Sequence, residues 1–152
     1  MAEKKINSNL LVDGNISTNN INLNNALATN QSYAGIYESA IVGENVSFGD
    51  VLYLKFSDGK YWKANATAYT TTPATRIALG TITANNSGNL LVEGFIRFDS
   101  WNFAANKVYL NTTAGTLTTT QPSTTGNQLQ VVGIAFSATK LHFKPSFDIG
   151  EK

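Results

Sequence analysis

The chain has 152 residues, a formal net charge of +1 and no cysteine, and only 14% of its residues are charged. That length fits one domain, and the missing cysteines exclude disulfides, thiolate metal sites and cysteine nucleophiles together. Lys and Arg are scattered singly apart from Lys4-Lys5, so there is no basic stripe for a phosphate backbone, and nucleic acid is not an expected partner.

Residues 1–31 form a distinct segment. "NSNLLVDGNISTNNINLNNALATN" is Asn-rich and has no aromatic residue. Its apolar residues come in short pulses: Leu10-Leu11-Val12, Ile16, Ile21, Leu23 and Leu27. Such a segment cannot build its own core. It reads as an extended N-terminal arm that either stays flexible or buries those pulses against another chain. The leading "MAEKKINSN" has no apolar run behind it and is not a secretory signal. No apolar stretch approaches membrane-spanning length, so no membrane partner is expected.

From Ser32 to Lys152 the texture is that of an all-β head domain. Eighteen Thr and 18 Asn against five Glu and one Met favour strands and turns over helices. "IYESAIVGENVSFGDVLYLKF" predicts two strands, with Gly43 and Gly49-Asp50 marking turns. Asp58-Gly59 predicts a two-residue type I′ hairpin, which pairs Phe56 with Tyr61 and Lys55 with Trp62, the second pair allowing a cation–π contact. "NATAYTTTPAT" is a loop, "RIALGTITA" a strand over 76–84 and "LLVEGFIRF" a strand over 90–98. "DSWNFAAN" is a corner or a single helical turn, and "KVYL" opens a second hairpin with Ala114-Gly115 at its tip. After the polar loop "TTTQPSTTGN", the segments "QLQVVGIAFSA" and "KLHFKPSF" complete the sheet.

The two hairpins belong to a longer repeat. Tyr53-Leu54 is followed by Gly59, Pro73 and Ile77-Ala78, and Tyr109-Leu110 by Gly115, Pro122 and Ile134-Ala135. The Tyr-to-Ile spacing is 24 residues in one copy and 25 in the other. The expected fold is therefore a compact β-barrel or β-sandwich with pseudo-duplicated hairpins.

No constellation for catalysis stands out. His142 is the sole histidine, alternating with Leu141 and Phe143 on a strand, and a metal site needs partners it lacks. Asp13, Asp50 and Asp58 sit beside Gly, where turn chemistry accounts for them. Glu93 alternates with apolar residues and so faces solvent or an assembly interface. No carboxylate pair, phosphate loop or cofactor motif is singled out, so neither an enzyme nor a cofactor is expected. Flat aromatics stack on pyranose faces, and of Trp62 and Trp101 the first is the better candidate for a glycan contact, with Tyr61 beside it. Trp101, before "NFAAN", is placed to plug one end of a barrel.

The run from Ala40 to Pro145, with "FGDVLYLKFSDGKYWKA", "RIALGTI", "LLVEGFIRF", "KVYLNTTAGTL" and "VVGIAF", resembles the small β-domains of tailed-bacteriophage capsid decoration (cement) and head-fibre proteins. "LLVDGNISTNNINL" is similar to the short β-repeats of trimeric phage fibre stems. The resemblance implies a non-enzymatic structural protein, made in the host bacterial cytoplasm. It would assemble as a homotrimer on the virion's capsid surface, against the major capsid protein or other virion proteins. The arm would then supply trimer or anchor contacts through Leu10, Leu11, Val12, Ile16, Ile21 and Leu23. The alternative is a tail-fibre or receptor-binding module that recognises host surface glycan through Tyr61, Trp62 and the Thr-rich loops.

Overall fold

Alternation of apolar and polar residues in short runs, broken every few residues by Gly, Asn, Asp or Pro, leaves this chain one option: strands and tight turns. A computed structural model describes residues 22–152. Its strands are β1 (Ser32–Ile41), β2 (Val51–Lys55), β3 (Lys60–Lys63), β4 (Ala74–Ala78), β5 (Ser87–Arg97), β6 (Lys107–Leu110), β7 (Leu117–Thr118), β8 (Gln128–Leu129), β9 (Val131–Ser137), β10 (Lys140–Phe143) and β11 (Gly150–Glu151). The all-β expectation holds. One curled antiparallel sheet, a half-barrel, runs in the order β3-β2-β4-β5-β10-β9-β6-β7, with β1 along the other side of β5. β8 and β11 form a separate two-stranded ribbon.

The strand order resolves into two halves of the same design. β3-β2-β4-β5 reads outward-in as β7-β6-β9-β10 does, and the halves join where β5 pairs with β10. Their registers correspond. Tyr53 opposes Trp62 and Leu54 opposes Tyr61, as Tyr109 opposes Thr118 and Leu110 opposes Leu117. β2 pairs with β4 through a bulge at Leu52/Tyr53, and β6 pairs with β9 through a bulge at Val108/Tyr109. Ile77 and Ala78 oppose Leu91 and Leu90, as Ile134 and Ala135 oppose His142 and Leu141. The repeat in the sequence is a repeat in the fold.

Each half buries one face of its strands. Leu52, Ala78 and Leu90 of the first half enclose a small core with Val42, Val46, Tyr61 and Ile82. The end of β1 covers it, and Val42 bridges to Tyr61 on β3. The counterparts Val108, Ala135 and Leu141 belong to the larger core, with Leu110 and Phe143. Capping that larger core is the opposite face of the first half: Val51, Ile77 and Leu91.

Backbone bonds tie the two hairpins together across the open side of the half-barrel. The Gly115 N–H donates to Ala64 O at 2.8 Å, and the Val51 N–H donates to Gly115 O at 3.0 Å. The buried Gln130 amide acts as a surrogate peptide. It accepts from the Ala74 N–H and donates to Ala74 O and Ser146 O, each at 2.8 Å. At the crossing of β1 and β5, Gly35 opposes Gly94 so closely that a Cβ on Gly35 would lie 2.3 Å from Glu93 O.

The first hairpin differs from its expected form. Lys55 pairs with Lys60, so the loop has four residues, Phe56–Gly59, rather than two. Only Gly59 among them has a positive φ, so the turn is not type I′. Leu54, not Phe56, opposes Tyr61, and Phe56 is fully exposed. The Lys55–Trp62 cation–π contact nonetheless forms diagonally, at 4.5 Å. The strand expected over 76–84 is likewise displaced: β4 ends at Ala78, where the chain turns off to bridge Ile82 with Val46.

Candidate functional site

Leu10, Leu11, Val12, Ile16 and Ile21 lie outside the described residues. Leu23 is exposed in extended chain just upstream of a docked stretch. There Leu27 is buried, and Arg97 Nη1 donates to Leu27 O at 3.1 Å and Ala28 O at 2.8 Å. The Asp99 N–H donates to Asn30 Oδ1, and Lys140 donates to Ala26 O. Residues 26–31, read in the sequence as the end of the arm, are thus held against β5 and β10.

Tyr61 is buried in the smaller core. Its hydroxyl donates to Glu38 Oε1 at 3.0 Å, and Arg76 Nε donates to the same oxygen at 2.8 Å. The Arg76 hydrogen bond holds the Glu38 carboxyl below the usual carboxylate range, while burial pushes the Tyr61 phenol up. Trp62 is half-buried and well occupied. Its Nε1–H donates to Asp58 Oδ2 at 3.1 Å, Lys55 sits over its ring, and the ring packs so closely on Gly43 that a Cβ there would overlap it. The expected glycan pair therefore spends its polar atoms within the hairpin and its neighbours.

The second tryptophan has different surroundings. The corner between β5 and β6 carries Phe98, Trp101 and Phe103. Trp101 meets Phe98 edge-on at 5.7 Å and Phe103 at a 37° tilt and 5.1 Å. The corner is laced to the β9–β10 turn: the Phe98 N–H donates to Thr139 O and the Phe103 N–H to Ala138 O. Opposite it runs the Thr-rich strand β7 and its extension, joined to the corner where the Ala104 N–H donates to Thr119 Oγ1 at 3.4 Å. Between these walls lies a cleft of about 560 Å³. Trp101, expected from the sequence to plug a barrel end, instead lines this cleft, and strand order rather than any local pattern brings the Thr run opposite it.

A third feature is apolar. On the outer face of β1, β5, β10 and β9, Phe95 stacks on His142 at 4.7 Å and meets Phe136 edge-on at 5.7 Å. Ile134 pairs with His142, and Ile36 lies on the same face opposite Glu93. Ile36 is 66% exposed, Ile134 44% and Phe136 45%. The rim is charged and self-paired: Arg97 with Asp99, and Lys144 with Glu93 at 3.3 Å. His142 is thus an aromatic packing residue, and among the described residues no group of three or more His, Asp or Glu could hold a metal ion. In comparisons with protein-family models, curated proteins and solved structures, nothing matches this chain.

Proposed function

We propose that this chain is a non-enzymatic structural protein of a tailed-bacteriophage virion, a head-fibre or capsid decoration protein that assembles as a homotrimer on the capsid surface. The observation that carries the reading is the bare outer face around Phe95, Ile134 and Phe136. In the first half the corresponding face, with Val51, Ile77 and Leu91, is buried by the second half. In the second half the same positions are Lys107, Ile134 and His142: Phe95 stacks on His142, and the described residues leave Lys107 and Ile134 exposed. Contiguous exposed apolar surface ringed by charges marks an interaction site. The occupant we assign is a second copy of this chain. The arm is pinned at the Arg97–Lys140 rim of that face, and its upstream residues carry the apolar pulses Leu10–Val12, Ile16 and Ile21. Copies related head-to-tail by a threefold axis form a closed ring in which each face receives its neighbour. The resemblance to phage decoration and head-fibre domains supplies the virion context.

Light scattering on the full chain tests this. Wild type is expected at trimer mass. Ile134→Ser with Phe136→Ser is expected to dissociate it while circular dichroism stays unchanged, because both side chains are half-exposed in the single chain. Replacing Ile16, Ile21 and Leu23 with Ser is expected to weaken the trimer further. A monomeric wild type, or a double variant that stays trimeric, would overturn the reading.

A further inference from the structure

The cleft between the β5–β6 corner and β7 has no part in that assembly reading, and its chemistry is specific. Its volume of about 560 Å³ falls in the ~300–1,000 Å³ range of small-molecule sites. One wall is aromatic, made by Phe98, Trp101 and Phe103, all half-buried and packed on the core from behind. The other wall, Thr116–Thr120, carries four hydroxyls: Thr116 donates its own to Thr113 O and keeps acceptor lone pairs, while those of Thr118 and Thr119 accept from the Thr120 and Ala104 N–H groups and keep their O–H donors for a ligand.

Charge narrows the ligand. Among the described residues Asp50 is the single ionisable one lining the cleft, and Lys63 neutralises it at 3.1 Å while the Ser47 N–H donates to the same carboxylate. With no cation in the lining, a phosphorylated or carboxylated ligand would bury its charge unpaired. A purely apolar ligand would leave the remaining hydrogen-bonding capacity of the hydroxyl wall unused. A ring with one apolar face and a rim of hydroxyls satisfies both walls, stacking on the aromatic side and exchanging hydrogen bonds with the Thr side. We infer that the Trp101 cleft is a binding site for neutral saccharide, a pyranose stacked on Trp101 with its hydroxyls turned to Thr116–Thr120.

Trp62 is the built-in control, because its polar atom and ring surroundings are already taken. The test uses the full-length protein and neutral oligosaccharides containing glucose, galactose, rhamnose, N-acetylglucosamine or N-acetylgalactosamine. In Trp62→Phe the sole remaining tryptophan is Trp101, and with excitation selective for tryptophan at least one oligosaccharide should change its emission saturably. By calorimetry that sugar should bind Trp101→Phe about tenfold more weakly, and Asn102→Ala, a change on the exposed lip of the cleft, several-fold more weakly. Phe keeps the packing behind Trp101, and a melting curve confirms that the variant is folded. No saturable response to any of these sugars up to about 10 mM overturns the inference. So does binding that survives Trp101→Phe and disappears in Trp62→Phe. Light scattering on the same samples reads the assembly state independently, so failure here and failure of the trimer are told apart.

Discussion

The two halves of this molecule share a strand plan, a register and even a bulge position, yet they are buried differently. The first half is covered on both faces: β1 and the Val42–Val46 turn seal one, and the second half seals the other. Among the described residues the second half is covered on one face, and on the other only at its Arg97–Lys140 rim, where residues 26–31 dock. The residues follow the burial. Val51, Ile77 and Leu91 of the first half correspond to Lys107, Ile134 and His142 of the second, two of the three having become polar. A duplicated unit that packs head-to-tail within one chain always leaves one used-side face without a partner. Solubility then favours polar residues there, and Ile134, flanked by Phe136 and Phe95, is the exception that needs a reason.

The sharpest way to break the comparison is to truncate the corresponding isoleucines. Ile77 is fully buried, so Ile77→Ala removes packed volume and should cost about 2–5 kcal/mol. Ile134→Ala removes a half-exposed side chain and should cost the isolated chain about 0.5–1 kcal/mol. Urea unfolding at low protein concentration reads both. At high concentration Ile134→Ala should lose more, because assembly adds its own stabilisation to wild type. Equal costs at low concentration would mean the two faces are not differently buried, and the duplication argument for an open face would fall.

A smaller effect separates the hairpin tips. Gly59 and Gly115 correspond, and both have left-handed backbone, φ +67° and +76°. Around Gly59 a Cβ would meet open space. At Gly115 it would lie 3.1 Å from both Asp50 Oδ1 and Lys63 Cδ, because that tip is clamped between Val51 and Ala64. Gly59→Ala should therefore cost only the conformational penalty, about 1–2 kcal/mol. Gly115→Ala adds crowding and should approach about 3 kcal/mol. Thermal melts of the two variants decide it, and a Gly59 variant as damaged as the Gly115 one would deny that the second tip is the anchored one.

Much of this plan was legible in the sequence, for reasons visible at single residues. Tyr-Leu followed by Gly at a fixed spacing recurs because register and turn are set by local backbone chemistry. The Trp101 corner was recognisable for the same reason. The four-residue loop after Lys55 was not, because Asp-Gly is compatible with more than one turn and the register that selects between them comes from β4 and from Tyr61 entering the core. Nor was the cleft, since Trp101 and Thr118 meet through strand order, which no local pattern encodes. The short pairing of β8 with β11 escaped too: Gly150-Glu151 has no alternation to announce a strand.

The smallest expected effect is electrostatic and belongs to the first half alone, for Tyr61 corresponds to Leu117 in the second. Glu38 is held below its ordinary pKa chiefly by its hydrogen bond to Arg76. The folded chain therefore binds fewer protons than the unfolded one as pH falls through the carboxylate range. The stabilisation is complete above that range and is lost as pH drops through the depressed pKa. With the Glu38 side chain 42% exposed, water screens the pair and the gain is at most about 1 kcal/mol. Tyr61 works on the other limb. Burial raises its pKa, so its contribution is complete below the ordinary tyrosine value and lost as pH rises through the raised one. Melting temperature against pH should thus flatten on the acid side in Glu38→Gln and on the alkaline side in Tyr61→Phe. Leu117→Ala should lower the whole curve and leave its shape alone. If Glu38→Gln keeps the wild-type acid slope, the Arg76 contact does not persist in solution, and the seal of β1 over the smaller core rests on its apolar residues alone.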